Sequence, residues 1–269
     1  MKKGSKIGIV ATLFCFLIAS AVFSQSKESN YLKFDYIKVE QENVHQYMEY
    51  MRNTWVPLYQ QQVKAGNIDS WSLYRVFIPG GAGGKYNFVT ITSASGLEQY
   101  ESMRPRDILA LDKNSQQEIS KMMEEANSLR TLMYTEIWKA LNKMQPEGNS
   151  PHPAKYVMVD YMMVVPGREY DYQMLEDEIA KPLHQERKSQ GIMAGWELYS
   201  LLTPGGDNYG YNFATGNFFE ELEHIEYGFT EDLIKSAKPS TDIPELFDTI
   251  NSTRTLVSSQ IWELVERTE

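Results

Sequence analysis

The chain has 269 residues, 42% apolar, 23% charged and 12% aromatic, with 26 Lys and Arg against 36 Asp and Glu. Length and composition fit a globular protein of one or two domains, each with room for a packed core. A net charge of −10 argues against a nucleic-acid partner, because neutralising phosphates takes concentrated Lys and Arg.

"MKKGSK" opens the chain as a short basic stretch, and "IGIVATLFCFLIASAVF" follows as a run of 17 mostly apolar residues. That order, with Ser24 before Gln25, predicts a secretory signal peptide over residues 1–24 and a periplasmic or secreted mature protein. An N-terminal membrane anchor is the alternative, near the lower limit of length for crossing a bilayer. Cys15, the one cysteine, lies inside this segment. The mature chain is therefore expected to hold no disulfide, no thiolate nucleophile and no cysteine-ligated metal. Cleavage also removes Lys2, Lys3 and Lys6, which takes the charge from 26 − 36 = −10 to 23 − 36 = −13. No later stretch is apolar enough to span a membrane.

The rest of the sequence is written twice. "SWSLYRVFIPGGAGGKYNF" (70–88) returns as "GWELYSLLTPGGDNYGYNF" (195–213), with nine of nineteen positions identical at an offset of 125. Asp35-Tyr36 matches Asp160-Tyr161, Pro57 matches Pro182, and Gly66 matches Gly191. "NSLRTLMYTEIW" (127–138) matches "NSTRTLVSSQIW" (251–262) at an offset of 124. So long a period means duplicated domains rather than a solenoid. The boundaries are read as 31–141 for the first repeat, 142–154 for a Pro-, Gly- and Asn-containing linker, and 155–268 for the second repeat.

In chain order the first repeat starts with a strand, "YLKFDYIKV", rich in aromatic and β-branched residues. Residues 42–65 follow as a helix, with Val44, Tyr47, Met48, Met51, Trp55 and Leu58 at spacings of three and four. Pro57 falls inside that helix and predicts a bend, repeated at Pro182; Gly66 and Gly191 stop the two helices. "WSLYRVFI" and "YNFVTIT" form a hairpin around "PGGAGGK", and a second helical region spans about 95–127. "TLMYTEIW" reads as the last strand, although "TEIWKALNKM" also has helical character. The order βαββαβ defines an α+β, ferredoxin-like unit: four antiparallel strands with both helices on one face. The uncovered faces of two such sheets can be pressed together within one chain.

Four mature histidines, His45, His152, His184 and His224, are too scattered for a metal site. The glycine-rich loops join strand to strand, whereas a phosphate cradle leads into a helix N-terminus. The central hairpins carry the aromatic residues Trp71, Tyr74, Tyr86, Trp196, Tyr199 and Tyr211, with Asn87 and Asn212 beside them. Alternation puts Trp71, Leu73, Arg75 and Phe77 on one face and Ser72, Tyr74 and Val76 on the other. Packing accounts for most of these side chains, yet buried tyrosine hydroxyls and the two amides need partners, and a ligand could supply them. Arg130 and Arg254 precede the last strands, where a salt bridge or cap is the ordinary role and anion binding the other.

Trp-x-Pro-Leu before a helix-ending Gly, then Trp-x-Leu-Tyr, Pro-Gly-Gly and Tyr-Asn-Phe, resemble dimeric α/β-barrel proteins. In particular they resemble secreted proteins of that superfamily of the kind Bacteroidetes-type bacteria make, and more distantly the antibiotic-biosynthesis-monooxygenase and NIPSNAP-like groups. The resemblance implies a barrel of two sheets, with a ligand between the sheet and the helices of one unit. It also implies that the side chain one turn past the proline, His184 in "KPLHQER" or Tyr59 in the first repeat, can face that ligand. Either residue can handle a proton or ligate a haem iron. Enzymes of the superfamily include cofactor-free and haem-dependent oxygenases and isomerases. No complete catalytic motif is present, so no catalytic residue is assigned. Binding of a small apolar or aromatic ligand in aromatic-lined pockets is the first expectation, with His184, Tyr59 and the eight hairpin residues above as candidates. An oxygenase or isomerase, with or without haem, is the alternative. A homo-oligomer and a purely structural role stay open.

Overall fold

The structure, a computed structural model, describes residues 30–81, 83–104, 107–108, 115–144, 154–206 and 208–269. The leader over 1–24 and linker residues 145–153 lie outside the described residues. The first repeat runs β1 (Tyr31–Lys38), α1 (Val44–Tyr50), α2 (Val56–Lys64), β2 (Ser70–Ile78), β3 (Phe88–Ala94), α3 (Gln116–Leu129) and β4 (Thr131–Met144). The second repeats it as β5 (Tyr156–Val164), α4 (Glu169–Leu175), α5 (Lys181–Ser189), β6 (Gly195–Thr203), β7 (Phe213–Phe219), α6 (Glu231–Ala237), α7 (Ile243–Thr253) and β8 (Arg254–Thr268).

All eight strands form one closed antiparallel barrel in the order β1-β3-β2-β8-β5-β7-β6-β4. The last strand of each repeat closes it. β4 pairs with β1 over Thr131–Lys139 and with β6 over Ile137–Met144; β8 pairs with β5 over Arg254–Glu263 and with β2 over Ile261–Thr268. Each therefore serves its own sheet with one half and the other repeat's edge strand with the other half. No sheet edge is left to template aggregation. The helical character of "TEIWKALNKM" is overridden by these pairings, since Thr131–Met144 is strand throughout.

The two helix-bending prolines have the same structural answer. A π-helical turn, Met51–Trp55 in one repeat and Glu176–Ala180 in the other, precedes Pro57 and Pro182. Proline lacks the N–H for the normal bond and its ring crowds the carbonyl one turn back, so the helix widens there. Gly66 and Gly191 end the helices at φ of +72° and +73°, a conformation that favours glycine. The second helical region is broken. It opens with a 3-10 turn, Leu97–Ser102 or Leu222–Glu226, and continues as α3 in one repeat and as α6 plus α7 in the other. Pro239 disfavours a helical Lys238, and Asp242 caps the new start at α7 by accepting from the Glu245 N–H at 3.1 Å.

Strand alternation sorts side chains as expected. Trp71 and Leu73 pack under the helices with Tyr47, Trp55 and Leu58, whereas Tyr74 and Val76 join the barrel interior with Phe34, Trp138 and Trp262. A polar network crosses that interior. Tyr36 and Trp138 donate to Glu136 Oε2 at 2.5 and 2.9 Å, and Tyr209 and Tyr211 donate to Oε1 at 2.6 and 2.5 Å. Glu136 is completely buried. Its twin in the second repeat is Gln260, which accepts from Tyr86 and Trp262, each at 2.9 Å. The Tyr36 and Tyr161 hydroxyls meet at 2.9 Å between the halves.

Candidate functional site

A cavity with about 970 Å³ of empty space, its open mouth included, lies between the sheet and the helices of the second repeat. The floor is polar. Asp160 from β5, Thr215 and Asn217 from β7, and Arg254 at the start of β8 face it. Alternation along β5 sends Met158, Asp160 and Met162 toward the helices. The roof is apolar, formed by Ile179 and Leu183 on the proline-bearing helix and by Ile234, Leu246 and Ile250 on α6 and α7. Glu176, His184 and Arg187 interrupt that roof. Spacings of eight and three residues, with the π turn between, bring them to one face of the helix.

The polar residues are buried and incompletely partnered. Glu176, His184 and Arg187 are only 7%, 4% and 5% exposed. Burial pushes the Glu176 carboxyl up to about 7, against the opposing pull of the Tyr172 hydroxyl and Arg254. Burial, with Arg187 adding to it, pushes the His184 imidazole down to about 3, so that ring is neutral near pH 7. It packs against Trp196 at 5.5 Å and Phe229 at 5.2 Å. Asp160 is raised by desolvation, opposed by hydrogen bonds from Ser259 Oγ at 2.5 Å and Asn217 Nδ2 at 3.0 Å and by the charges of Arg254 and Arg187. His184 Nδ1, Arg187 Nε and Arg254 Nε are buried atoms without a hydrogen-bond partner among the described residues. Each such orphan costs roughly 1–3 kcal/mol, more on a charged group.

In the first repeat the corresponding positions carry other groups, several of them partnered within the repeat. Tyr59 takes the place of His184 and stacks on Trp71, with centroids 4.5 Å apart and planes within 8°. Met51 replaces Glu176, and Gln62 replaces Arg187 and accepts a hydrogen bond from Asn67 at 2.8 Å. Tyr50, in the place of Leu175, donates to the Met122 carbonyl at 2.7 Å. Asp35, the twin of Asp160, has its own cation: Lys33 Nζ lies 2.7 Å away, where the second repeat has Met158.

The residues singled out by sequence thus separate into four groups. His184 and Trp196 line the cavity. Tyr59 and Trp71 pack the first repeat's equivalent space. Tyr74, Tyr86, Tyr199 and Tyr211 belong to the barrel interior, where Tyr86 and Tyr211 serve Gln260 and Glu136 and Tyr199 donates to Glu197. Asn87 and Asn212 need no ligand, because the first accepts from the Val39 N–H and donates to its carbonyl, both at 2.8 Å. Asn212 does the same for Val164 at 2.8 and 3.2 Å. Sequence reasoning missed Glu176 and Arg187 and gave Asp160 no role. The signal available was their divergence from Met51 and Gln62 in an otherwise matching helix. Arg254, weighed as a cap or ion pair, makes no side-chain hydrogen bond or ion pair among the described residues; the aspartate it attracts, Asp160, is held by Ser259 and Asn217.

Two ferredoxin-like units closed into one barrel, each with helices on its outer face, make this chain an intramolecular dimeric α/β barrel. Solved structures of that fold superpose over nearly the whole chain. A protein from Fusobacterium nucleatum, provisionally assigned as a monooxygenase, matches with a TM-score of 0.56 at 6% identity, covering 90% of this chain and 95% of that one. A mutant chlorite dismutase from Candidatus Nitrospira defluvii matches with a TM-score of 0.52 at 13% identity, covering 89% and 93%. These likenesses are of fold. No protein-family model matches the chain, and no curated protein matches it.

Proposed function

We propose that this protein, exported by the leader over 1–24, binds a small, mostly apolar ligand in the cavity of the second repeat. One observation carries the reading. The duplicated fold offers these positions twice; in the first repeat Gln62 pairs with Asn67 and Asp35 with Lys33, whereas in the second repeat they line a cavity with buried polar atoms that have no hydrogen-bond partner among the described residues. Concave, largely apolar sites with a few convergent polar groups are the usual form of a ligand pocket. Native mass spectrometry of protein purified without denaturation tests it. A bound mass is expected that is lost in Ala180→Trp, which fills the cavity. An identical bound mass in both proteins would overturn the reading.

A second reading, an oxygenase or isomerase, draws on Glu176. A carboxyl at about 7 can both give and take a proton near neutral pH. The residues also fit a haem in kind. His184 is neutral with an unpartnered ring nitrogen, suited to an iron, and the guanidinium groups of Arg187 and Arg254 suit propionates. Haem bound there would supply redox chemistry at its iron, while Glu176 would hold a proton at its carboxyl beside the bound molecule. A Soret band on haem titration, lost in His184→Ala, supports this reading; flat spectra rule out the haem form.

A further inference from the structure

We infer that the ligand of the second-repeat cavity is an amphipathic carboxylate, its acidic head held between Arg187 of the proline-bearing helix and Arg254 of the polar floor and its apolar body lying under α6 and α7. The inference rests on the reading of that cavity as a binding site and adds the chemical class of what it takes.

Arg187 is 5% exposed, lines the cavity and makes no side-chain hydrogen bond or ion pair among the described residues. Its guanidinium lies over the Phe219 ring, 5.4 Å from the centroid. Arg254 lines the same cavity and leaves its Nε buried and unpartnered. A guanidinium has five N–H donors in a planar fork and cannot shed its charge, so burying it without an acceptor is costly. Two guanidinium groups facing one cavity, Arg187 buried and Arg254 partly so, are explained by an acceptor that arrives with the ligand.

The protein's own carboxyls do not fill that role. Asp160 already accepts from Ser259 and Asn217. Glu176 is pushed toward its uncharged form by burial. His184 is neutral and adds no charge. Two cations therefore face one engaged carboxylate, which leaves room for one more negative charge. Carboxylate suits the guanidinium fork, which binds it in two parallel hydrogen bonds. The apolar side is set by Ile234, Leu246 and Ile250, which give the rest of the molecule no hydrogen-bonding partner. The first repeat agrees: its counterpart of Arg187 is the uncharged Gln62, paired with Asn67. The chain as a whole is acidic, with a net charge of −10, so its overall field repels anions and any preference for one must be local.

The test uses the full mature protein, the neutral dye N-phenylnaphthylamine as a reporter, and decanoate and decanol as competitors that differ only in the head group. Decanoate is expected to displace the dye at least about tenfold more tightly than decanol from the unmodified protein. Arg187→Met and Arg254→Met, which keep the length and apolar stem, are each expected to weaken decanoate by about tenfold while moving decanol by less than about threefold. Equal displacement by decanoate and decanol overturns the carboxylate inference and leaves the pocket standing. Undiminished dye and decanoate binding in Ala180→Trp overturns the pocket itself, and the inference with it. The decanoate-to-decanol ratio on the unmodified protein decides the matter even if an arginine variant does not fold.

Discussion

The Glu176 carboxyl makes the sharpest quantitative prediction. It sits in the π turn of the second repeat, 7% exposed, with burial raising it from an ordinary 4.5 to about 7. Between those values the folded protein holds a proton that the unfolded chain has released. Stability from this group is therefore complete below about pH 4.5, falls as pH rises toward 7, and is lost above it. At about 1.36 kcal/mol per unit over (7 − 4.5) units, the loss is about 3 kcal/mol. Glu176→Gln keeps the shape and removes the titration. Urea unfolding of both proteins at pH 5 and pH 8 isolates the effect, because other groups cancel in the difference. The variant should gain about 3 kcal/mol on the parent between the two pH values. A parent-minus-variant difference that stays constant with pH would refute the reasoning.

Further predictions follow from other sites. His184 has the opposite sign: with its folded value lowered from 6.5 to about 3, its contribution is present above 6.5 and is lost as pH falls toward 3. His184→Gln should flatten acid unfolding across that range by about 5 kcal/mol, read by denaturant titration. Tyr59→Ala removes the ring stacked on Trp71 and should cost about 3 kcal/mol or more in thermal or chemical unfolding, while Tyr59→Phe keeps the stack and costs far less. Glu136→Leu takes the acceptor from four donors, Tyr36 and Trp138 of them fully buried, and should destabilise the barrel by at least about 3 kcal/mol, with Glu136→Gln retaining much of that because Gln260 serves the twin position. Equal losses for the Leu and Gln variants would remove the network from the account of stability.

The fold was legible because it was written twice. A strand order seen in two aligned copies, with Pro57 and Pro182 in the same helix and Gly66 and Gly191 behind them, constrained each element more than either copy alone. Length misled at the last strand, because its second half pairs with the other repeat and local preference does not report so distant a partner. The site was legible in part. His184 was visible from its place past the proline. Glu176 lies in the acidic run Glu176-Asp177-Glu178, which reads as a solvated face, and the π turn shifts the helical phase so that a period of 3.6 misassigns it. Glu136 was within reach: it alternates onto the same strand face as Tyr134 and Trp138, and an ionisable residue there, with glutamine in the twin, signals a buried network.

That network also bears on why the copies cannot be identical. The Tyr36 and Tyr161 hydroxyls occupy equivalent positions and touch each other. Tyr36 has one proton and gives it to Glu136, so the contact between the two phenols must be supplied by Tyr161. Direction is thus imposed on a bond whose two ends began as the same residue. Gln260, the twin of Glu136, accepts from Tyr86 and Trp262 instead, so only one of the two phenols has a carboxyl group to serve. Having an amide on one side and an acid on the other lets a duplicated interior settle on a single arrangement of its protons.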